Sequence, residues 1–128
     1  AVAFGMKIVV HDDYLPQNAS VLQELDVSQL GFHELLQVAD VVSCHVPLTV
    51  ETRGMFNAAA FAKMRQGSWF INAARGEMVE PPVDVQSTGL ASLENVYLTP
   101  HIGAFTVESQ TRVLERVCKD VGDVLTRY

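Results

Sequence analysis

Two ionisable side chains stand just past apolar, strand-like runs. Arg75 ends Phe70-Ile71-Asn72-Ala73-Ala74-Arg75-Gly76, and His101 lies within Leu98-Thr99-Pro100-His101-Ile102-Gly103-Ala104. The carboxyl ends of strands are where open α/β sheets gather ligands. A guanidinium is charged at every working pH and offers paired donors to an anion, whereas an imidazole gains or loses a proton near neutrality. An arginine that holds an anionic substrate and a histidine that moves a proton make a coherent active site. Gly76 after Arg75 and Gly103 after His101 leave the backbone room that a closely approaching ligand needs.

Such groups must be positioned by regular elements. Lys7-Ile8-Val9-Val10 is a β-branched run that ends in His11-Asp12-Asp13, so a first strand delivers acids at its carboxyl end. Ser20 to Leu25 and Phe32 to Val38 have helical character. Asp40 to Pro47 reads as a second strand stopped by its proline. Ala58 to Met64 is a helix with Asn57 as its cap and Gly67 closing the turn beyond it. Ser68 to Asn72 and Val96 to Thr99 are two more strands. Val107 to Leu125 is a long amphipathic helix with Val113, Leu114, Val117, Val121 and Val124 on one face. Strands that are apolar throughout and alternate with helices predict an α/β fold with a parallel sheet covered on both sides. Glu80 to Leu93, with Pro81, Pro82 and Gly89, reads as a loop with no element of its own.

The 128 residues are one domain's worth of chain, and 48% of them are hydrophobic. A net charge of -6 argues against nucleic acid or an anionic membrane as partner, since either demands a basic face. No apolar run approaches the roughly 20 residues of a membrane span, and the N-terminus does not read as a signal peptide. Cys44 in a strand-like run and Cys118 in a helix-like one suit two buried free thiols in a reducing compartment, so a cytoplasmic location is expected. His11, His33, His45 and His101 lack the spacing of a metal site, so no metal is expected.

With these residues laid out, the chain resembles the nucleotide-binding domain of the NAD-dependent D-2-hydroxyacid dehydrogenases, the family with phosphoglycerate, glycerate and lactate members. The likeness runs through Ala3-Phe4-Gly5-Met6, Asp40 to Thr49, Glu51-Thr52-Arg53-Gly54, Ile71 to Gly76 and Thr99 to Ala104. It implies a Rossmann-like parallel sheet flanked by helices. It also implies hydride transfer between NAD(H) and a small 2-hydroxy or 2-oxo acid, in a protein that is commonly dimeric.

By this resemblance Asp12 closes the strand that binds the adenosine ribose hydroxyls. A carboxylate there repels a 2′-phosphate, so NAD is expected rather than NADP, and Asp13 beside it could share the role. Val46 and Pro47 match the turn over the adenine and ribose side, while Ala73 and Ala74 match backbone that approaches the nicotinamide. Gly103 and Ala104 follow His101 within the same cofactor-facing stretch. Arg75 becomes the clamp on the substrate carboxylate, and His101 becomes the acid/base. The third catalytic member is a glutamate before a proline pair that hydrogen-bonds the histidine and stabilises its imidazolium, which Glu80-Pro81-Pro82 fits, with Glu77 and Glu94 as alternatives.

The departures from the family are large. No Gly-x-Gly-x-x-Gly turn occurs in the 128 residues, and in the family that turn follows the first strand and binds the pyrophosphate. Between Val79 and Glu80 the family carries a helix and strand, on the order of two dozen residues for such a crossover. Residues 1–128 are therefore expected to be a partial NAD-binding domain without its first strand, one later helix-strand unit or the separate substrate-binding domain. The Lys7 and Asp40 strands would then meet directly or leave apolar edges exposed, favouring repacking, dimerisation or aggregation. A competing reading makes the chain a non-catalytic nucleotide-binding or corepressor-like interaction module.

Overall fold

A computed structural model describes residues 2–80 and 94–125. The chain divides into two units, Ala1–Asp84 and Val85–Tyr128.

In the first unit, β1 (Val9–Val10), α1 (Ser20–Glu24) and β2 (Ser28–Gln29) form one strand-helix-strand unit. β1 and β2 pair in parallel with Val9 opposite Ser28. α2 (Phe32–Val38) leads to β3 (Val41–Cys44), and α3 (Ala58–Phe61) leads to β4 (Trp69–Asn72). β3 and β4 are parallel partners in full register, from Val41 opposite Trp69 to Cys44 opposite Asn72. The α/β character and parallel pairing expected from the sequence are therefore present. The Lys7 and Asp40 strands do not meet: among the described residues they belong to two separate two-stranded sheets.

The core lies on one face of the β3–β4 pair. Leu36 of α2 and Met78, in a 3₁₀ turn over Gly76–Met78, are fully buried with Val42, Cys44, Phe56 and Ala60. Phe56 and Phe70 pack as a tilted pair with ring centroids 4.4 Å apart, and Phe32 meets Phe56 edge-on at 5.4 Å. Burying one such side chain is worth about 1.5–3 kcal/mol, so this cluster ties α2, α3 and both strands together. The opposite face corrects the expectation of a sheet covered on both sides. Val41 is 43% exposed, Trp69 62% and Ile71 48%. β3 is apolar in sequence, but its burial alternates in the way of a strand with one covered face.

α3 starts where Asn57 predicts, its side chain accepting the Ala60 N–H at 3.0 Å. It ends three residues before Met64 because the winding tightens: Lys63 N–H bonds to Ala60 C=O and Met64 N–H to Phe61 C=O, both three residues back. Gly67, at φ +79°, then supplies the left-handed turn into β4.

In the second unit, α3's successor α4 (Val107–Leu125) forms over the span its periodicity predicts. Thr106 accepts the Ser109 N–H at 3.1 Å and caps it. Val113, Leu114, Val117 and Val121 are each more than half exposed. The run from Val96 to Thr99 does not become a strand, because the described part of its unit holds no other strand to share a ladder with it. Cys118 is exposed on α4, against the expectation of two buried thiols, whereas Cys44 is buried as expected. The proposed loop between Glu80 and Leu93 lies outside the described residues from Pro81 onward.

Candidate functional site

β3 and β4 end side by side, at Cys44 and Asn72. Their continuations therefore leave the sheet together, at the carboxyl end of a parallel pair. His45, Val46, Pro47 and Leu48 form one wall of a cleft of about 470 Å³, and Ala73, Ala74 and Arg75 form the other. Five residues singled out from sequence, Val46, Pro47, Ala73, Ala74 and Arg75, are thus brought to one concavity. Apolar side chains, the His45 ring, the Arg75 guanidinium and backbone polar groups share its lining. The two alanines keep the backbone accessible to a bound ligand.

Both walls are held by local hydrogen bonds. On the first, the Thr52 hydroxyl donates to Pro47 C=O at 2.7 Å and accepts the Thr49 N–H at 2.8 Å. The Thr49 hydroxyl also lowers the Glu51 carboxyl below its ordinary range, helped by the Glu51 N–H. On the second wall, Ala73 N–H donates to Cys44 C=O at 3.1 Å as the last rung of the ladder. Asn72 then closes the turn: its Oδ1 accepts the Ala74 N–H at 3.0 Å, and its Nδ2 donates to Arg75 C=O at 2.7 Å. Arg75 is exposed, with Nη1 donating to Ala74 C=O at 2.9 Å.

The structure adds two residues to the site, His45 on the cleft wall and Asn72 behind it. His45 lines the wall, its Nε2 2.8 Å from the Ser43 hydroxyl, and the signal in the sequence is the alternation of polar Ser43 and His45 with apolar Cys44 at the end of the strand-like run. Asn72 stands in the Phe70 to Gly76 motif, where residue type alone gives it no role. Its position directly after an apolar run, where a side chain must replace the missing ladder partner, was the clue.

Asp12 lies beyond the end of β1, exposed, with Oδ1 accepting the Tyr14 N–H at 2.9 Å. Its backbone C=O receives Gln29 Nε2 at 2.8 Å, which ties the acid to β2. Asp13 instead sits 3.8 Å from His11 Nε2. Glu80 ends the first unit's described residues with an exposed side chain. Its N–H donates to Phe56 C=O at 3.0 Å, beside a parallel bridge between Phe56 and Val79. The alternative Glu77 lends its C=O to the Gly54 N–H at 2.9 Å.

His101, Gly103 and Ala104 belong to the second unit, all exposed in the turn ahead of α4, where Phe105 N–H bonds to Ile102 C=O at 3.0 Å. Glu94, the other alternative, is exposed at the start of that unit's described residues. Among the described residues, no three His, Cys, Asp or Glu side chains cluster as metal ligands, and no helix is long and apolar enough to cross a membrane.

A cleft of mixed polarity at paired strand ends, with one cation on its wall, and a carboxylate after another strand are features that a dinucleotide's rings, charge and ribose hydroxyls can use. Comparison with known proteins points the same way. Residues 1–83 match the family model described as D-isomer specific 2-hydroxyacid dehydrogenase, NAD binding domain. The chain is 36% identical to a hydroxypyruvate reductase of Thermotoga maritima, over 95% of this chain and 47% of that protein. It is 34% identical to a D-3-phosphoglycerate dehydrogenase of Bacillus subtilis, over 94% of this chain and 27% of that one. The chain thus spans between about a quarter and a half of these curated relatives. The Thermotoga alignment runs over 150 positions while using 95% of a 128-residue chain, so about 28 positions have no counterpart here. Among solved structures, D-lactate dehydrogenase from Aquifex aeolicus, complexed with NAD and lactic acid, superposes with a TM-score of 0.76 at 28% identity, over 98% of this chain and 48% of that chain. The apo D-lactate dehydrogenase of Escherichia coli shares the fold at a TM-score of 0.77, 24% identity and coverage of 98% and 46%. The chain belongs to the D-isomer specific 2-hydroxyacid dehydrogenase family and carries sequence of its NAD binding domain.

Proposed function

We propose that the intact protein interconverts a small 2-oxo acid and its 2-hydroxy acid with NAD(H). The carrying observation is the cleft at the ends of β3 and β4, where Arg75 stands on the wall that Ala73 and Ala74 form opposite Val46 and Pro47. Bound NADH supplies the hydride in the reducing direction. Asp12 accepts the adenosine ribose hydroxyls and repels a 2′-phosphate. Val46 and Pro47 cover the cofactor from one side, and the Ala73–Ala74 backbone meets it from the other. By the family resemblance, Gly103 and Ala104, next to His101, also meet the cofactor.

Arg75 receives the substrate carboxylate through parallel N–H donors and polarises the 2-oxo group. His101 donates a proton to the carbonyl oxygen as that carbon is reduced, and takes it back in the opposite direction. The family resemblance gives Glu80, the glutamate before the proline pair, the role of the carboxylate that supports this proton transfer. A substrate-binding domain outside the 128 residues completes the site around the substrate's tail. The surroundings that fit this reading are the cytoplasm, in view of the free Cys44 and Cys118. A homodimer accords with the exposed apolar faces at Trp69 and Leu114.

The test is NADH oxidation by the intact protein with glyoxylate, pyruvate and hydroxypyruvate. Turnover of at least one supports the reading. Cofactor binding without turnover of any small 2-oxo acid would favour the non-catalytic alternative.

A further inference from the structure

The structure assigns Asn72 as the positioning residue for Arg75; its kinetic part rests on the reading of Arg75 as the carboxylate clamp. β4 ends at Asn72, and the ladder to β3 ends one residue later with the Ala73 N–H on Cys44 C=O. The Ala74–Arg75 backbone therefore leaves the sheet without strand partners. Three polar groups in that stretch are satisfied by two side chains. Asn72 Oδ1 takes the Ala74 N–H, Asn72 Nδ2 gives to Arg75 C=O, and Arg75 Nη1 gives to Ala74 C=O. Arg75 C=O also accepts the Met78 N–H at 3.1 Å, which joins the turn to fully buried Met78.

Only a short primary amide presents a donor and an acceptor on one rigid plane at this reach. An aspartate accepts without donating, and an alanine does neither. Because Arg75 Nη1 is committed to Ala74 C=O, the guanidinium keeps Nη2 and Nε for a ligand, a fork whose direction follows the backbone that Asn72 holds. A misplacement of about 1 Å at such a group costs on the order of a hundredfold in rate.

The experiment is a double-mutant cycle in the intact protein, with hydroxypyruvate as the probe substrate and NADH saturating. Asn72→Ala is expected to lower kcat/KM by about ten- to a hundredfold. In an Arg75→Ala background the same change should cost less than about twofold, since the guanidinium it directs is gone. Equal losses in both backgrounds, or no loss in the first, overturn the kinetic assignment. Amide hydrogen exchange separates this from a failure of the clamp reading. Asn72→Ala should expose the Ala74 N–H to faster exchange, and Asn72→Asp should keep it protected while still lowering kcat/KM. Wild-type kinetics for Arg75→Ala would remove the clamp alone, with Ala74 exchange still reporting on Asn72. Unchanged Ala74 exchange in Asn72→Ala would overturn the positioning itself.

Discussion

Gly54 and Glu80 stand in close contact: a Cβ on Gly54 would lie 3.3 Å from the Glu80 Cβ, and Gly54 itself holds φ +66°. The Gly54 N–H reaches Glu77 C=O at 2.9 Å, the Phe56 N–H reaches Met78 C=O at 2.9 Å, and Glu80 returns its N–H to Phe56 C=O. A short ladder thus lays the Glu80 backbone along the Gly54–Phe56 strand of chain. Gly54→Ala meets two penalties, a left-handed conformation costing about 1–2 kcal/mol and a displaced Glu80. The urea-unfolding free energy should drop by at least about 1–2 kcal/mol. An unchanged midpoint would mean that the turn relaxes freely and does not hold Glu80.

Asp12 is anchored through Oδ1 and through Gln29 on its backbone carbonyl, so its carboxylate has a defined place at the end of β1. Asp12→Ala should weaken NADH more than NADPH and bring the two kcat/KM values together without abolishing turnover. Steady-state kinetics with both cofactors measure this ratio. A wild type that uses NADPH as well as NADH would take Asp12 out of the ribose site.

Burial raises the Cys44 thiol above its ordinary value, against a smaller lowering from the Val46 backbone hydrogen bond. Protonated Cys44 is therefore the form the fold favours. Its contribution to stability is complete below the ordinary thiol value and is lost as pH rises from that value through the raised one. Unfolding free energies measured across this alkaline window should fall in wild type, and the fall should be smaller in Cys44→Ala. Iodoacetamide at pH 8 should label exposed Cys118 well before Cys44. Equal labelling rates would contradict the burial.

Much of this site was legible because it depends on strand ends. The Asp40 and Ser68 runs, the Asn57 cap and α4 all follow from short-range pattern, and strands placed in parallel bring Val46 and Arg75 to one edge without further information. What was not legible depends on partners. β2 is only Ser28 and Gln29, too short and polar to carry an apolar signal, and exists because Val9 and Val10 pair with it. Val96 to Thr99 had the signal but finds no ladder among the described residues of its unit. Cys118 sits on a helix whose periodicity is clear, yet periodicity cannot say whether an apolar face is covered. The exposure of Val41 and Trp69 has the same origin: an apolar run states what a face prefers and leaves open what packs on it.

The central claim is that the Arg75 guanidinium grips the carboxylate of a 2-oxo acid. Lysine conserves the charge and loses the planar two-point contact, so comparing Arg75→Lys with wild type isolates the geometry. The measurement is kcat/KM for hydroxypyruvate at saturating NADH. Losing one charge-assisted hydrogen bond, worth about 1.5–3 kcal/mol, predicts a fall of about ten- to a hundredfold or more in the Lys variant. Near-wild-type kcat/KM in Arg75→Lys would show that Arg75 is a surface cation and that the cleft between β3 and β4 does not hold the substrate in this way.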